Sequence, residues 1–320
     1  MSEMSAVVVR ELGGPEALRP ERTAIPEPGA GALLIRVSRS VVNFADDRMC
    51  RTGVNHFTGR VDPPPFVPGG EIVGTRCDTG ERVVALCRTG GYAQFAVASE
   101  DAVFPVPEQI EDEAALAVFV PGLTAAFLLD VAGLPAADTS VVIHGASGAV
   151  GRVLLRLLRG GPCRVIASAS TPRSREGIAR DGTTVIDAEP DGLTERIRAA
   201  CGGRPVDVVL DPIGGPVLEA SLGALAPRGR LVTFGNASGA AATVDPRSLI
   251  VGSRTVTGFW LMDHTHDRAA CEAHLARLFA LADDLATTPA RTFPLDEAAK
   301  AMTTTRERAH TSRVLLDPWA

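Results

Sequence analysis

Lysine and tyrosine are almost missing from this sequence of 320 residues: Lys300 and Tyr92 are the only ones. All other cations are arginines, which reads as GC-rich codon usage and carries no function by itself. Cysteine is sparse, at Cys50, Cys77, Cys87, Cys163, Cys201 and Cys271. No CxxC pair or close Cys/His cluster occurs among them, so neither a zinc site nor a disulfide framework is suggested, and no metal is expected. An excess of positive charge is also lacking. The net charge of −6 argues against nucleic acid or an anionic membrane as the main partner. No apolar run approaches the ~20 residues of a membrane span. The start "MSEMSAVVVRELGG" has no basic segment, long apolar core or cleavage site of a secretory signal. Cytoplasmic residence is therefore the expectation.

What remains is an ordinary globular composition, 45% hydrophobic and 22% charged, in a chain long enough for two domains. The first hundred residues read as short strands between Pro/Gly turns: "SAVVVR", "ALLIRVSR", "GEIVGT", "ERVVAL" and "YAQFAVA". "VDPPPFVPGG" is a rigid loop. From about residue 113, "EDEAALAVFVPGLTAAFLLDVAGL" is helical in composition, with a break expected at Pro121. Strand-like and helix-like segments then alternate from "SVVIHG" to "RTVTGFWL". That alternation implies a parallel, doubly wound α/β sheet, because parallel strands need helical crossovers. One helix, "DRAACEAHLARLFALADDLA", and a strand, "SRVLLDP", follow, and the strand is expected to rejoin the first domain.

"HGASGAVG" fills the first strand-to-helix turn. Gly145, Ser147, Gly148, Ala149, Val150 and Gly151 are its candidate phosphate contacts. Gly148 would admit a pyrophosphate, Gly151 close helix packing, and the helix N-terminus the unpaired N–H donors. The following strand decides which dinucleotide binds. An acid there would take the ribose 2′-hydroxyl of NAD. The segment "IASASTPRSR" offers instead Ser168, Ser170, Arg173 and Arg175, which suit a 2′-phosphate. The expected cofactor is NADPH.

The ordered set "VVNFADDRMCRTG", "PFVPGGEIVG", "GYAQFAV", "PGLTAAFLL", "IHGASGAVG", "VDVVLDPIGG", "GRLVTFGNASG" and "TFPLDEAAKAM" resembles the zinc-independent medium-chain dehydrogenase/reductases, in particular the quinone oxidoreductase (zeta-crystallin-like) and enoyl reductase group. The resemblance spans essentially the whole chain. It implies a β-rich GroES-like substrate domain, residues 1–119 and 263–320, a Rossmann NADP(H)-binding domain, residues 120–262, and a site in the cleft between them. It also implies a homodimer joined edge to edge through "RTVTGFWL". Zinc-dependent relatives carry a Cys where this chain has Val42–Asn43 and GHE where it has Gly69–Gly70–Glu71.

The same resemblance assigns residues. Asn43 and Thr124 would face the nicotinamide, and Asp46 would order the polar network, although Asp46 reads equally as a helix cap. Gly235, Asn236, Phe259, Trp260 and Leu261 would line the nicotinamide end, and Arg313 would reach the cofactor or form a salt bridge. Substrate contacts would come from Phe44, Arg51, Trp260 and Met262. The tyrosines that relatives place near the substrate are missing. Tyr92 reads as structural, and His56, His264, His266 and Cys50 are the alternatives for reactive groups. The implied activity is hydride transfer from NADPH to a quinone or an activated C=C bond of a small molecule. An enoyl-thioester reductase of a secondary-metabolite pathway, and a non-catalytic or redox-neutral NADPH-binding protein, stay open as alternatives.

Overall fold

The computed structural model describes residues 2–56, 58–134, 137–180, 182–286, 290–307 and 313–320. The chain divides into two compact units. The first holds Met1–Val120 with Thr265–Ala320, and the second holds Pro121–His264.

The first unit begins with an antiparallel ribbon of β1 (Glu3–Val9) and β2 (Leu18–Ala24). Strand β2 does not stand out in the sequence, because "LRPERTA" is polar and contains Pro20. A two-stranded ribbon has room for a proline, since no further strand needs its missing N–H. Next come β3 (Ala32–Val41), α1 (Phe44–Thr52), β4 (Glu71–Arg76), β5 (Arg82–Leu86), β6 (Phe95–Ser99), β7 (Val103–Pro105) and α2 (Asp112–Val118). Ile35, Val37, Ile72, Val83, Ala85 and Val103 bury one face of this sheet. Helix α1 falls outside the strand and helix segments read from the sequence. Its ends are well specified: Asn43 stands at the N-cap, Asp46 and Asp47 in the first turn, and Gly53 closes it in the left-handed region at φ 72°.

Helix α3 (Val120–Ala132) follows α2 after a break at Phe119, two residues before the expected position. Pro121 lies in the first turn of α3, where no intrahelical N–H bond is lost. The span Asp112–Ala132 is long and apolar enough to cross a membrane by length and composition, which corrects the expectation that no such stretch exists. Its most apolar window is 72% buried inside the protein, as a core helix requires.

The second unit alternates strand and helix: β8 (Ser140–Ile143), α4 (Ala149–Leu158), β9 (Arg164–Ala169), α5 (Pro172–Ala179), β10 (Thr184–Asp187), α6 (Leu193–Ala200), β11 (Val206–Asp211), α7 (Gly215–Ala224), β12 (Leu225–Thr233), α8 (Pro246–Ile250) and β13 (Thr255–Gly258). Every strand pair is parallel, in the order β10-β9-β8-β11-β12-β13. This is the 3-2-1-4-5-6 order of a Rossmann sheet, whose ligand crevice opens at the carboxyl ends of the strands, where the winding reverses. Here the reversal falls between β8 and β11.

The chain then returns to the first unit through α9 (Arg268–Phe279), α10 (Ala282–Leu285), β14 (Arg291–Pro294), α11 (Ala298–Arg306) and β15 (Val314–Asp317). The single helix expected over 267–286 is thus two, separated at Ala280–Leu281. Strand β15 pairs antiparallel with β3 and completes a mostly antiparallel sheet.

Candidate functional site

The glycine turn joins β8 to α4 at the reversal point. Gly145 has φ +60°, a conformation most side chains resist. A Cβ at Gly151 would stand 2.5 Å from the Gly145 carbonyl oxygen and 2.6 Å from Ala146 Cα, so only glycine lets α4 pack against the turn. Gly148 is the N-cap of α4 and supplies no side-chain cap. The amides of Ala149, Val150 and Gly151 lie in the first turn, where no intrahelical acceptor exists. With the helix dipole behind them they form an anion cradle that fits a pyrophosphate. Ser147 is half-buried beside it.

The start of α5, just after β9, carries the cation expected for a 2′-phosphate, with two corrections. Ser170 and Arg173 are exposed, and Arg173 has no partner among the described residues. Arg175 is engaged: Nη1 is 3.0 Å from Asp187 Oδ2 and donates to the carbonyls of Ala169 and Ser170 at 3.1 and 3.2 Å. Ser168 is fully buried, with its hydroxyl 2.6 Å from His144 Nδ1. Both faces of β9 are covered here, since Ile166, Ala167 and Ala169 are buried too, and Ser168 offers nothing to a ligand phosphate.

Two loops at the ends of β11 and β12 are zipped together. Ala237 and Ser238 donate their amides to the carbonyls of Pro212 and Ile213, which fixes Gly235 and Asn236. The Asp211 carboxylate accepts from the Ile213 and Gly214 amides at 2.8 and 3.1 Å, and burial raises its pKa. Phe259 is buried and stacked on His264 at 4.9 Å, and Phe127 lies 5.1 Å from the same imidazole. Leu261 is buried, Met262 half-buried, and Trp260 is 42% exposed. Thr124 is buried in α3. His266 is exposed.

A second polar cluster lies in the first unit. The Asn43 amide donates to Asp46 Oδ2 at 2.8 Å, and the Tyr92 hydroxyl donates to the same oxygen at 3.1 Å. Asp46 is therefore a capping residue of α1 and the acceptor for the only tyrosine. Burial pushes its pKa up to about 7, even though both hydrogen bonds favour the charged form. Asn43 Nδ2 donates to Glu71 Oε2 at 3.2 Å, and Arg313 Nη2 stands 3.1 Å from both Glu71 oxygens. Arg313 also donates to the Leu116 carbonyl, and of the two roles open to it the salt bridge is the one the structure shows. Phe44 is exposed, and Arg51 pairs with Asp47 at 3.0 Å. Burial raises the Cys50 thiol to about 12 and lowers His56 to about 4, so neither titrates near neutrality. Among the described residues no group of three or more His, Cys, Asp or Glu side chains could hold a metal ion.

Residues 149–279 match the family described as zinc-binding dehydrogenase. A probable quinone oxidoreductase of Schizosaccharomyces pombe is 31% identical over 322 residues, covering 97% of this chain and 96% of that protein. The chain belongs to the quinone oxidoreductase group of the zinc-independent medium-chain dehydrogenase/reductases. A 2-haloacrylate reductase of a Burkholderia species is 31% identical over 316 residues, 92% of this chain and 93% of that one. A mycobacterial protein solved in complex with NADPH superimposes with a TM-score of 0.86 at 32% identity, over 98% of this chain and 100% of the other.

Sequence reasoning about this quinone oxidoreductase family member missed His144, Ser221, Asp187 and Asp211. His144 stands inside the glycine motif and carries a usable signal, a polar residue directly after the apolar run "SVVI". Ser221 and Asp187 act through partners distant in sequence that only the fold brings together, whereas Asp211 accepts from amides two and three positions further on.

Proposed function

We propose that the protein is an NADPH-dependent reductase of quinones or of small molecules with an activated C=C bond, working without zinc. The observation that carries this reading is the uncapped N-terminus of α4 behind the glycine turn, together with the exposed Arg173, which has no partner among the described residues. When bound, NADPH supplies a hydride. The α4 amides would hold the pyrophosphate, Arg173 with Ser170 the 2′-phosphate, and the Gly235–Asn236 loop with Phe259 to Leu261 the nicotinamide end. Asn43, ordered by Asp46 and Glu71, and Thr124 would orient nicotinamide and substrate. Phe44, Arg51, Trp260 and Met262 would shape specificity.

The likeness to a mycobacterial protein solved with NADPH supports the cofactor, and the likeness to a 2-haloacrylate reductase supports an activated C=C bond as acceptor. A zinc-free reaction is supported by residue chemistry: Val42–Asn43 and Gly70 offer no thiolate or imidazole. A homodimer through the sheet edge at β13 belongs to the same reading. The test uses NADPH deuterated at C4 with a small enone and a benzoquinone. Deuterium at the β-carbon of the reduced enone, or NADPH oxidation matched by hydroquinone formation, supports the proposal. Tight NADPH binding without reduction of either would refute it for these acceptors.

A further inference from the structure

His144 is fully buried where β8 ends, and its imidazole is bonded on both sides. Nδ1 is 2.6 Å from Ser168 Oγ, at the end of β9, and Nε2 is 2.8 Å from Ser221 Oγ, on α7. The Ser221 hydroxyl donates its one hydrogen to the Val217 carbonyl at 2.7 Å, so toward His144 it can only accept. Nε2 therefore carries the proton, and Nδ1 accepts from the Ser168 hydroxyl. The chain of donors runs from Ser168 through His144 and Ser221 to Val217. Burial holds the imidazole neutral, with its pKa lowered to about 4.

This imidazole stands one residue before Gly145, the start of the pyrophosphate turn. Its first partner lies two residues before Ser170 and five before Arg173. The Ala146 amide donates to the Ser168 carbonyl at 3.1 Å, so backbone and side chain tie the same two segments. The geometry points to His144 as a positioning residue for the dinucleotide. Through Ser168 it fixes the distance between the pyrophosphate turn and the 2′-phosphate segment, while through Ser221 it anchors α7.

A tie between the turn and the end of β9 matters most to a ligand that spans both. NADPH does so through its 2′-phosphate, and NADH lacks that group. The inference rests on the cofactor reading above and deepens it. Loosening the tie lowers the NADPH/NADH preference, whereas general destabilisation would weaken both cofactors alike.

The test measures Kd for NADPH and NADH by cofactor fluorescence in the full-length protein and three variants. Ser168→Ala is expected to lower the NADPH/NADH affinity ratio about fivefold or more, the order expected of one lost hydrogen bond. Ser168→Thr, which keeps the hydroxyl, restores the ratio, and Ser221→Ala, which leaves Ser168 in place, lowers it less than Ser168→Ala does. An unchanged ratio in Ser168→Ala, or an equal fall in Ser221→Ala, overturns the inference. The 15N shifts of His144 in the unmutated protein give a reading independent of how the variants fold. They must show the proton on Nε2, and a proton on Nδ1 contradicts the assigned donor chain. Wild-type protein that binds neither cofactor refutes the cofactor reading and this inference together. Wild-type preference for NADPH that survives Ser168→Ala refutes this inference alone.

Discussion

Arg313 Nη2 stands 3.1 Å from each carboxylate oxygen of Glu71, with the two side chains only 12% and 2% exposed. Removing one partner of so buried a pair leaves the other charge uncompensated, a loss of about 3–5 kcal/mol, whereas replacing both with apolar residues is often near neutral. Glu71→Ala should therefore lower the urea-unfolding free energy by about 3 kcal/mol or more. Glu71→Leu combined with Arg313→Leu should recover most of it. A single-variant loss below about 1 kcal/mol would mean that water reaches the pair.

The buried carboxyl of Asp46 predicts a pH signature. Its folded pKa is about 7, against an ordinary carboxylate value of 3.8. As pH rises from about 4 to 7 the unfolded chain gives up this proton first, so stability from Asp46 is complete below pH 4 and lost by about pH 7. The size is at most about 4 kcal/mol. His144 and His56, both lowered to about 4, act oppositely: they stay neutral when folded and cost stability as pH falls from 6.5 to 4. Unfolding curves of wild type and Asp46→Asn across this window separate the two. The difference between them should shrink in favour of the variant as pH rises, and parallel curves would contradict the assignment.

Arg173 and Arg175 are not equivalent. Arg173→Ala should weaken NADPH about tenfold and leave NADH unchanged, as expected for a charge-assisted hydrogen bond. Arg175→Ala should do less, because Asp187 already holds that guanidinium. Asp187→Asn should release it and tighten NADPH binding. Isothermal titration with both cofactors checks all three, and a larger effect at Arg175 than at Arg173 would reverse the assignment.

Gly151→Ala would force a Cβ against the Gly145 carbonyl and Ala146. Overpacking of this kind costs about 1–3 kcal/mol. Because the pyrophosphate is common to both dinucleotides, affinities for NADPH and NADH should fall by the same factor. That contrasts with the selective effect at Arg173. The same titrations show it, and unchanged binding would remove the turn from the site.

Most of the Rossmann half was legible from local pattern, because each strand from β8 to β11 is followed by a helix, whereas the short α8 falls in a stretch that reads as a loop. The glycine turn was legible for the same reason. Strand β2 was hidden by Pro20 and by its polar face, and α1 by a short polar sequence whose caps act only at its ends. Long-range pairing hid more of the site. Nothing local shows that Ser168 faces inward to His144, that Arg175 meets Asp187, or that Arg313 meets Glu71 across 242 positions. Side-chain types gave the chemistry on offer, and the fold decided which groups were already engaged.

The most direct measurement of the central claim is the initial rate of NADPH oxidation, followed by absorbance, with a benzoquinone and a small enone and with NADH run in parallel. The account predicts turnover with at least one acceptor and NADPH well ahead of NADH. Equal rates with the two cofactors would contradict the role given to Arg173, and no turnover despite tight NADPH binding would contradict the reductase itself.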